Sequence, residues 1–236
     1  MPRSARVAPG GLVYHVLNRA VGRMHLLRKD ADLEAFERVM IEAYRRHPLR
    51  ILSYCVLSNH WHFVVWPEED GQLTAFFRWL THTHAMRWRV AHRTVGYGPL
   101  YQGRFKSFPV QTDEHLLTVM RYVERNPLAA GLVPRAEEWR WGSLWARMHG
   151  DDAVKGLLSP WPVERPEDWT DRVNAPLSAK ELRRMRVSLE RGRPFGDDDW
   201  VDRKIGELRL EHTVRAEGRP PKARKPSPSA PDGMKN

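Results

Sequence analysis

From Leu12 to Leu17 the chain reads Leu-Val-Tyr-His-Val-Leu, a β-branched and aromatic run with the character of a strand. Asp30 to Arg46 then carries Leu33, Phe36, Val39, Met40 and Ala43 at helical spacing, so a helix follows. Ile51 to Leu57 and Trp61 to Trp66 are two apolar runs separated by Ser58 and Asn59, which predicts an antiparallel pair joined by a tight turn, its second strand starting near His60. Leu73 to His92 returns to helical spacing, with Leu73, Phe76, Phe77, Leu80 and His84 on one stripe, until Gly96-Tyr97-Gly98-Pro99 breaks it. Arg104 to Val110 predicts one more strand. Thr112 is a candidate N-cap for a third helix with Leu116, Met120 and Val123 on its inner side, stopping before Pro127. The order β-α-β-β-α-β-α is that of an α+β, ferredoxin-like split β-α-β sandwich with an antiparallel sheet and helices added after it.

Beyond Trp145 the pattern weakens. Leu177 to Glu190 and Trp200 to Leu210 predict two more helices, and residues 218–236, rich in Pro, Lys and Ser, predict a disordered basic tail. The expected organisation is a catalytic domain over 1–150, a helical extension over 151–217 and the tail. A chain of 236 residues with 41% hydrophobic content suits one globular domain with a small appendage.

Charge narrows the partners. A formal net charge of +10 points to a polyanion, because Lys and Arg that neutralise phosphates release condensed counterions. The single cysteine, Cys55, excludes an internal disulfide framework and a four-cysteine zinc site, so the reducing cytoplasm is the expected compartment, with nucleoid association expected of a DNA-binding chain, and Cys55 reads as a small core residue. No apolar run approaches the length that spans a bilayer, and Met1 to Gly11 lacks the apolar centre of a signal peptide, so no membrane partner is expected.

Three groups of residues carry candidate chemistry. His60 and His62, at i and i+2 of a strand, leave the same face of the sheet within reach of one metal, a pattern shared with ordinary strand histidines beside a turn. Tyr122 and Asn126 lie one helical turn apart, so the amide can complete a metal site while the phenol points at a phosphate; equally, the ring can pack at the core edge and the amide cap the helix. Gly71 to Thr112 holds no Asp or Glu but carries Arg78, Arg87, Arg89, Arg93, Arg104 and Lys106, the candidate DNA-binding residues. Tyr97, Tyr101, Phe105 and Phe108 are interleaved, as suits single strands whose bases stack, although they also suit a core beneath a basic face. Arg191-Gly192-Arg193-Pro194 and Gly218-Arg219-Pro220-Pro221-Lys222 read either as minor-groove hooks or as basic turns.

Taken in order, Tyr14-His15-Val16-Leu17-Asn18-Arg19, Ser58-Asn59-His60-Trp61-His62, Gly103-Arg104-Phe105-Lys106-Ser107, Tyr122-Val123-Glu124-Arg125-Asn126-Pro127 with Gly131-Leu132-Val133, and Trp139-Arg140-Trp141-Gly142-Ser143 resemble the REP-associated tyrosine transposases. These are relatives of single-tyrosine insertion-sequence transposases in the His-hydrophobe-His (HUH) nuclease superfamily. The resemblance covers about residues 12–148. It implies a ferredoxin-like catalytic domain, Mg²⁺ or Mn²⁺ held by His60, His62 and the third ligand Asn126, and Tyr122 as nucleophile forming a 5′-phosphotyrosine link and freeing a 3′-hydroxyl. It implies hairpins of repetitive extragenic palindromes, handled as single strands, as substrate, and a monomer or homodimer. Tyr101, Glu124 and Arg125 depart from the residues frequent at those places, which puts local substrate contacts in question. The alternative is a non-catalytic nucleic-acid-binding protein of the same fold.

Overall fold

The computed structural model describes residues 7–215; the motif from Gly218 to Lys222 and the tail expected over 218–236 lie outside them. Four strands, β1 (Val13–Arg19), β2 (Arg50–Val56), β3 (His60–Trp66) and β4 (Lys106–Val110), form one sheet in the order β2-β3-β1-β4 with every neighbouring pair antiparallel. β3 lies between β1 and β2, so the ferredoxin-like split β-α-β arrangement is the observed fold. Ser58 and Asn59 make the hairpin turn, closed by the Leu57 N–H on the His60 carbonyl at 2.9 Å, and the Ser58 carbonyl accepts from the N–H groups of Leu26 and Leu27.

Both faces of the sheet are covered, which is why Phe63 to Trp66 of β3 are apolar at successive positions instead of alternating ones. Trp61, Phe63 and Val65 point to one side and pack with Tyr14 and Val16 against α1 (Asp30–Arg46) and α2 (Gln72–Ala91). On the other side Val64, Cys55, Phe108 and Val13 meet Leu116, Val119, Met120 and Val123 of α3 (Glu114–Ala129). That second layer also takes up Trp169 and Val173 of α6 (Trp169–Asn174), Met185 of α7 (Ala179–Arg191) and Phe195, so residues after 150 share a core with α3. The helices α4 (Ser143–His149), α5 (Asp152–Lys155) and α8 (Asp198–Glu207) complete the chain.

Two local expectations for α3 are corrected. Asp113, not Thr112, is the N-cap, its carboxylate accepting the His115 N–H at 2.8 Å. The helix also runs through Pro127 to Ala129. Proline removes one ladder donor, but the next bonds are made, Ala130 N–H to Asn126 carbonyl and Leu132 N–H to Pro127 carbonyl, both 3.0 Å, and the ring is buried.

Beneath the middle of α3 lies a buried carboxylate. Glu124 Oε1 accepts from Ser143 Oγ at 2.6 Å and Ser53 Oγ at 3.2 Å, and Oε2 accepts from Trp169 Nε1 at 2.7 Å. β2, α4 and α6 are thereby tied to one residue of α3, two positions from both Tyr122 and Asn126. Arg125 donates to the Val173 carbonyl at 3.2 Å, and Tyr101 is buried with its hydroxyl 2.8 Å from His84 Nδ1. Tyr101, Glu124 and Arg125 thus all serve packing in this chain.

Burial of histidines gives the fold a pH dependence. Burial lowers the His84 pKa to about 4 and that of His15 to about 3. Below pH 6.5 the unfolded chain binds these protons and the folded chain does not, so stability falls as pH drops through 6.5 and the loss levels off below the folded values. For His84 alone the expected loss is about 2 kcal/mol between pH 7.5 and pH 5. Urea melts at those two pH values measure it, and equal midpoints would mean that these rings are hydrated.

Candidate active site

The face of the sheet turned toward α3 brings the imidazoles together. Cross-strand pairing sets Arg19 opposite His60, Leu17 opposite His62 and His15 opposite Val64, so all six share that face. The His60 and His62 rings sit edge to face with centroids 5.0 Å apart. Tyr122 reaches down from α3 and meets His62 edge-on at 5.8 Å between centroids. Asn126, one turn further on, lies close to both Tyr122 and His60.

His15, which no spacing in the sequence links to this site, has its Nε2 2.9 Å from His62 Nδ1, and its ring stacks on Phe108 at 4.8 Å. The contact fixes the His62 ring and leaves His62 Nε2 facing the site, buried and without a hydrogen-bond partner. His60 Nδ1 lies 2.5 Å from Asn59 Oδ1, a carbonyl oxygen that only accepts, so Nδ1 is the protonated nitrogen and Nε2 keeps its lone pair. Burial first, and then the Arg19 charge, lowers the His60 pKa to about 4; burial, His60, His15 and Arg19 lower that of His62. Both rings are therefore neutral at neutral pH. Two neutral imidazoles, one with an orphaned buried nitrogen, and an adjacent amide oxygen form a donor set that fits an open-sided divalent cation. Among the described residues no group of three His, Cys, Asp or Glu is placed to hold a metal by itself.

The phenol is held protonated at neutral pH, its pKa raised by burial against the opposing pull of the Asn126 hydrogen bond and Arg19. In front of it opens a cleft of about 390 Å³ lined by His62, Tyr122, Arg19, Arg104, Lys106 and Arg186 of α7, among others. The basic rim comes from three segments: the end of β1, the entry to β4, and α7.

The six expected DNA-binding residues separate. Arg104 and Lys106 line the cleft with His62 and Tyr122. Arg87 is paired with both carboxylate oxygens of Glu42 at 2.7 and 2.8 Å, and Arg89 donates to the carbonyls of Gly98 and Pro99 at 2.9 and 3.1 Å, clasping the loop after α2. Arg78 is exposed on α2, and Arg93 is exposed just past its end in a left-handed conformation, φ 53°. Of the interleaved aromatics, Tyr101, Phe105 and Phe108 are core residues and only Tyr97 is exposed. Arg191-Gly192-Arg193-Pro194 is the turn that ends α7, with Gly192 at φ 75° and Arg191 Nε donating to the Thr213 carbonyl at 2.8 Å. Among the described residues no helix is long and apolar enough to cross a membrane.

Residues 10–126 match the family model described as IS200-like transposase. That span contains β1 to β4, both histidines, Tyr122 and, as its last residue, Asn126. No curated protein matches the chain. Among solved structures the chain is similar to a REP-associated tyrosine transposase bound to a REP hairpin, with 19% identity, a TM-score of 0.47, and coverage of 76% of this chain and 100% of that one. It is also similar to a putative transposase from Deinococcus radiodurans R1, with 16% identity, a TM-score of 0.38, and coverage of 52% and 96%.

Proposed function

Because the chain belongs to the IS200-like transposase family through residues 10–126, we propose that it is a metal-dependent endonuclease and strand transferase acting on single-stranded, hairpin-forming DNA through a covalent link to Tyr122. The observation that carries this reading is the convergence of the Tyr122 phenol and His62 in a cleft rimmed by arginines and a lysine, with Asn126 one helical turn along α3 beside the phenol. The proposed catalytic unit is residues 1–150, with 151–217 as a helical extension.

His60, His62 and Asn126 are the residues that would hold Mg²⁺ or Mn²⁺, which when bound supplies Lewis-acid polarisation of the scissile phosphate. The phenol oxygen attacks phosphorus, the P–O bond to the 3′-oxygen breaks, the phenol proton is lost to solvent and the departing oxygen takes one up. A 5′-phosphotyrosine and a free 3′-hydroxyl result, and the phosphoester keeps the bond energy for rejoining. Asn126 orients the phenol and favours its ionised form, and Arg19 adds positive charge beside it. Arg104, Lys106 and Arg186 hold the flanking phosphates. Tyr122 starts protonated, so its reactivity depends on charge assembled around the phosphate when DNA is bound.

The test is incubation of 5′- and 3′-labelled hairpin DNA with the protein in Mn²⁺, Mg²⁺ or chelator on a denaturing gel. A metal-dependent adduct carrying the strand 3′ of the break supports the reading; binding to hairpins without cleavage in either metal would move the protein to the non-catalytic class.

His15 yields a separate expectation. A residue that holds a ligand's second nitrogen in place contributes about 10–100-fold to metal affinity, so His15→Ala is expected to weaken Mn²⁺ binding by that factor. Calorimetric titration of Mn²⁺ into both proteins, beside DNA affinity in chelator, measures the two effects separately. Unchanged Mn²⁺ affinity would leave His15 a packing residue only.

A further inference from the structure

A second groove, of about 650 Å³, opens beside the site cleft and shares Gly103, Arg104, Lys106 and Glu190 with it. One wall is the approach to β4, with Arg104 and Lys106. The other is built from the end of α7 and the segment after α8, and contributes Arg191, Arg209 and His212. Glu190, at the junction, is the one acid among the lining residues. The Arg191 guanidinium binds the Thr213 and Arg215 carbonyls and so fastens the two parts of this wall together.

Arg209 occupies a backbone position that suits glycine. α8 ends with the Leu210 N–H on the Ile205 carbonyl at 2.9 Å and the Arg209 N–H on the Gly206 carbonyl at 3.3 Å, the paired bonds of a Schellman turn, with Arg209 left-handed at φ 53°. At the end of α7 the left-handed place is filled by Gly192. A side chain at φ 53° costs stability that glycine would not, and here the strained residue is an exposed cation lining the groove.

We propose that this groove binds the phosphodiester backbone of the DNA strand flanking the phosphate that reaches Tyr122, with Arg209 and Lys106 as its principal contacts. The helical extension thereby becomes part of the substrate path, an inference that rests on the proposed function. The sign of the groove selects this occupant over the chain's own residues 216–236, which carry five cations, Arg219, Lys222, Arg224, Lys225 and Lys235, against two acids, Glu217 and Asp232.

The test compares a short oligothymidine of ~4 nucleotides with a long one of ~16, in chelator so that nothing is cut, for wild type, Arg209→Gly and Arg209→Glu. Wild type is expected to bind the long probe more tightly than the short one. Arg209→Gly is expected to raise Tm by about 2 °C while weakening long-probe binding about fivefold, flattening its salt slope by about 0.7, and leaving short-probe binding unchanged. Arg209→Glu is expected to lower long-probe affinity further. Opposite changes in stability and affinity are what a purely structural arginine would not give. A gain with length that survives in both variants, or that wild type lacks, overturns the groove and leaves the proposed function standing. Wild type binding neither probe overturns both.

Discussion

Tyr122→Phe is expected to reduce covalent protein–DNA adduct by at least ~10³-fold while leaving hairpin affinity within about threefold, because the substitution removes only the attacking oxygen. The ring stays in its place: Tyr122 packs at the edge of the α3-face core and meets His62 edge-on, contacts that Phe retains. What is lost besides the nucleophile is the hydrogen bond to Asn126. Adduct on a denaturing gel and affinity by fluorescence anisotropy, taken on one preparation, separate the two effects. Adduct from the Phe variant at the wild-type rate would remove Tyr122 from the mechanism.

The second large effect is expected at the histidines. His60→Ala and His62→Ala should each lower single-turnover cleavage by about 10³-fold, the equivalent of about 4 kcal/mol of lost phosphate stabilisation, and should abolish Mn²⁺ binding at micromolar concentrations. His62 is buried between His15 and Tyr122, so His62→Ala also leaves a cavity, whereas His60 is partly exposed beside the turn. His60→Ala is therefore the cleaner variant, expected to fold with a nearly unchanged Tm. Cleavage by His60→Ala at more than a tenth of the wild-type rate in Mn²⁺ would mean that the pair does not hold the catalytic metal.

How much of this was written in the sequence differs from element to element. α1 is legible to the residue, because five core positions at helical spacing lie between an acidic first turn and a basic last one. The hairpin is legible from Ser58 and Asn59 between two apolar runs. α4 and α6, of seven and six residues, are too short for a period to register, and their first residues, Ser143 and Trp169, are tied to Glu124 across the core by contacts distant in sequence. The intrinsic cost of proline predicts a stop at Pro127, and the burial of its ring in the fold offsets that cost.

At the site, the i and i+2 spacing of His60 and His62 and the one-turn spacing of Tyr122 and Asn126 were visible, since each follows from local geometry. Their meeting was not, and neither was His15, which is 47 residues from His62 and reaches it only through the register of β1 on β3. The motif containing His15 and Arg19 was the available signal. Counting cations located the basic segment but did not separate Arg104 and Lys106 at the cleft from Arg87 and Arg89, whose partners Glu42 and the loop carbonyls are set by tertiary packing. Aromatic spacing failed for the same reason: in sequence, a ring buried in the core, as those of Tyr101, Phe105 and Phe108 are, looks like a ring that stacks on a base.

The most direct test of the central claim is mass spectrometry of the linked peptide. Wild-type protein is trapped with hairpin DNA in Mn²⁺, digested with nuclease and protease, and searched for a nucleotide on tyrosine. The account predicts a 5′-nucleotide on Tyr122 and a free 3′-hydroxyl on the released fragment. Cleaved DNA with no linked peptide, or a link at another residue, would contradict it.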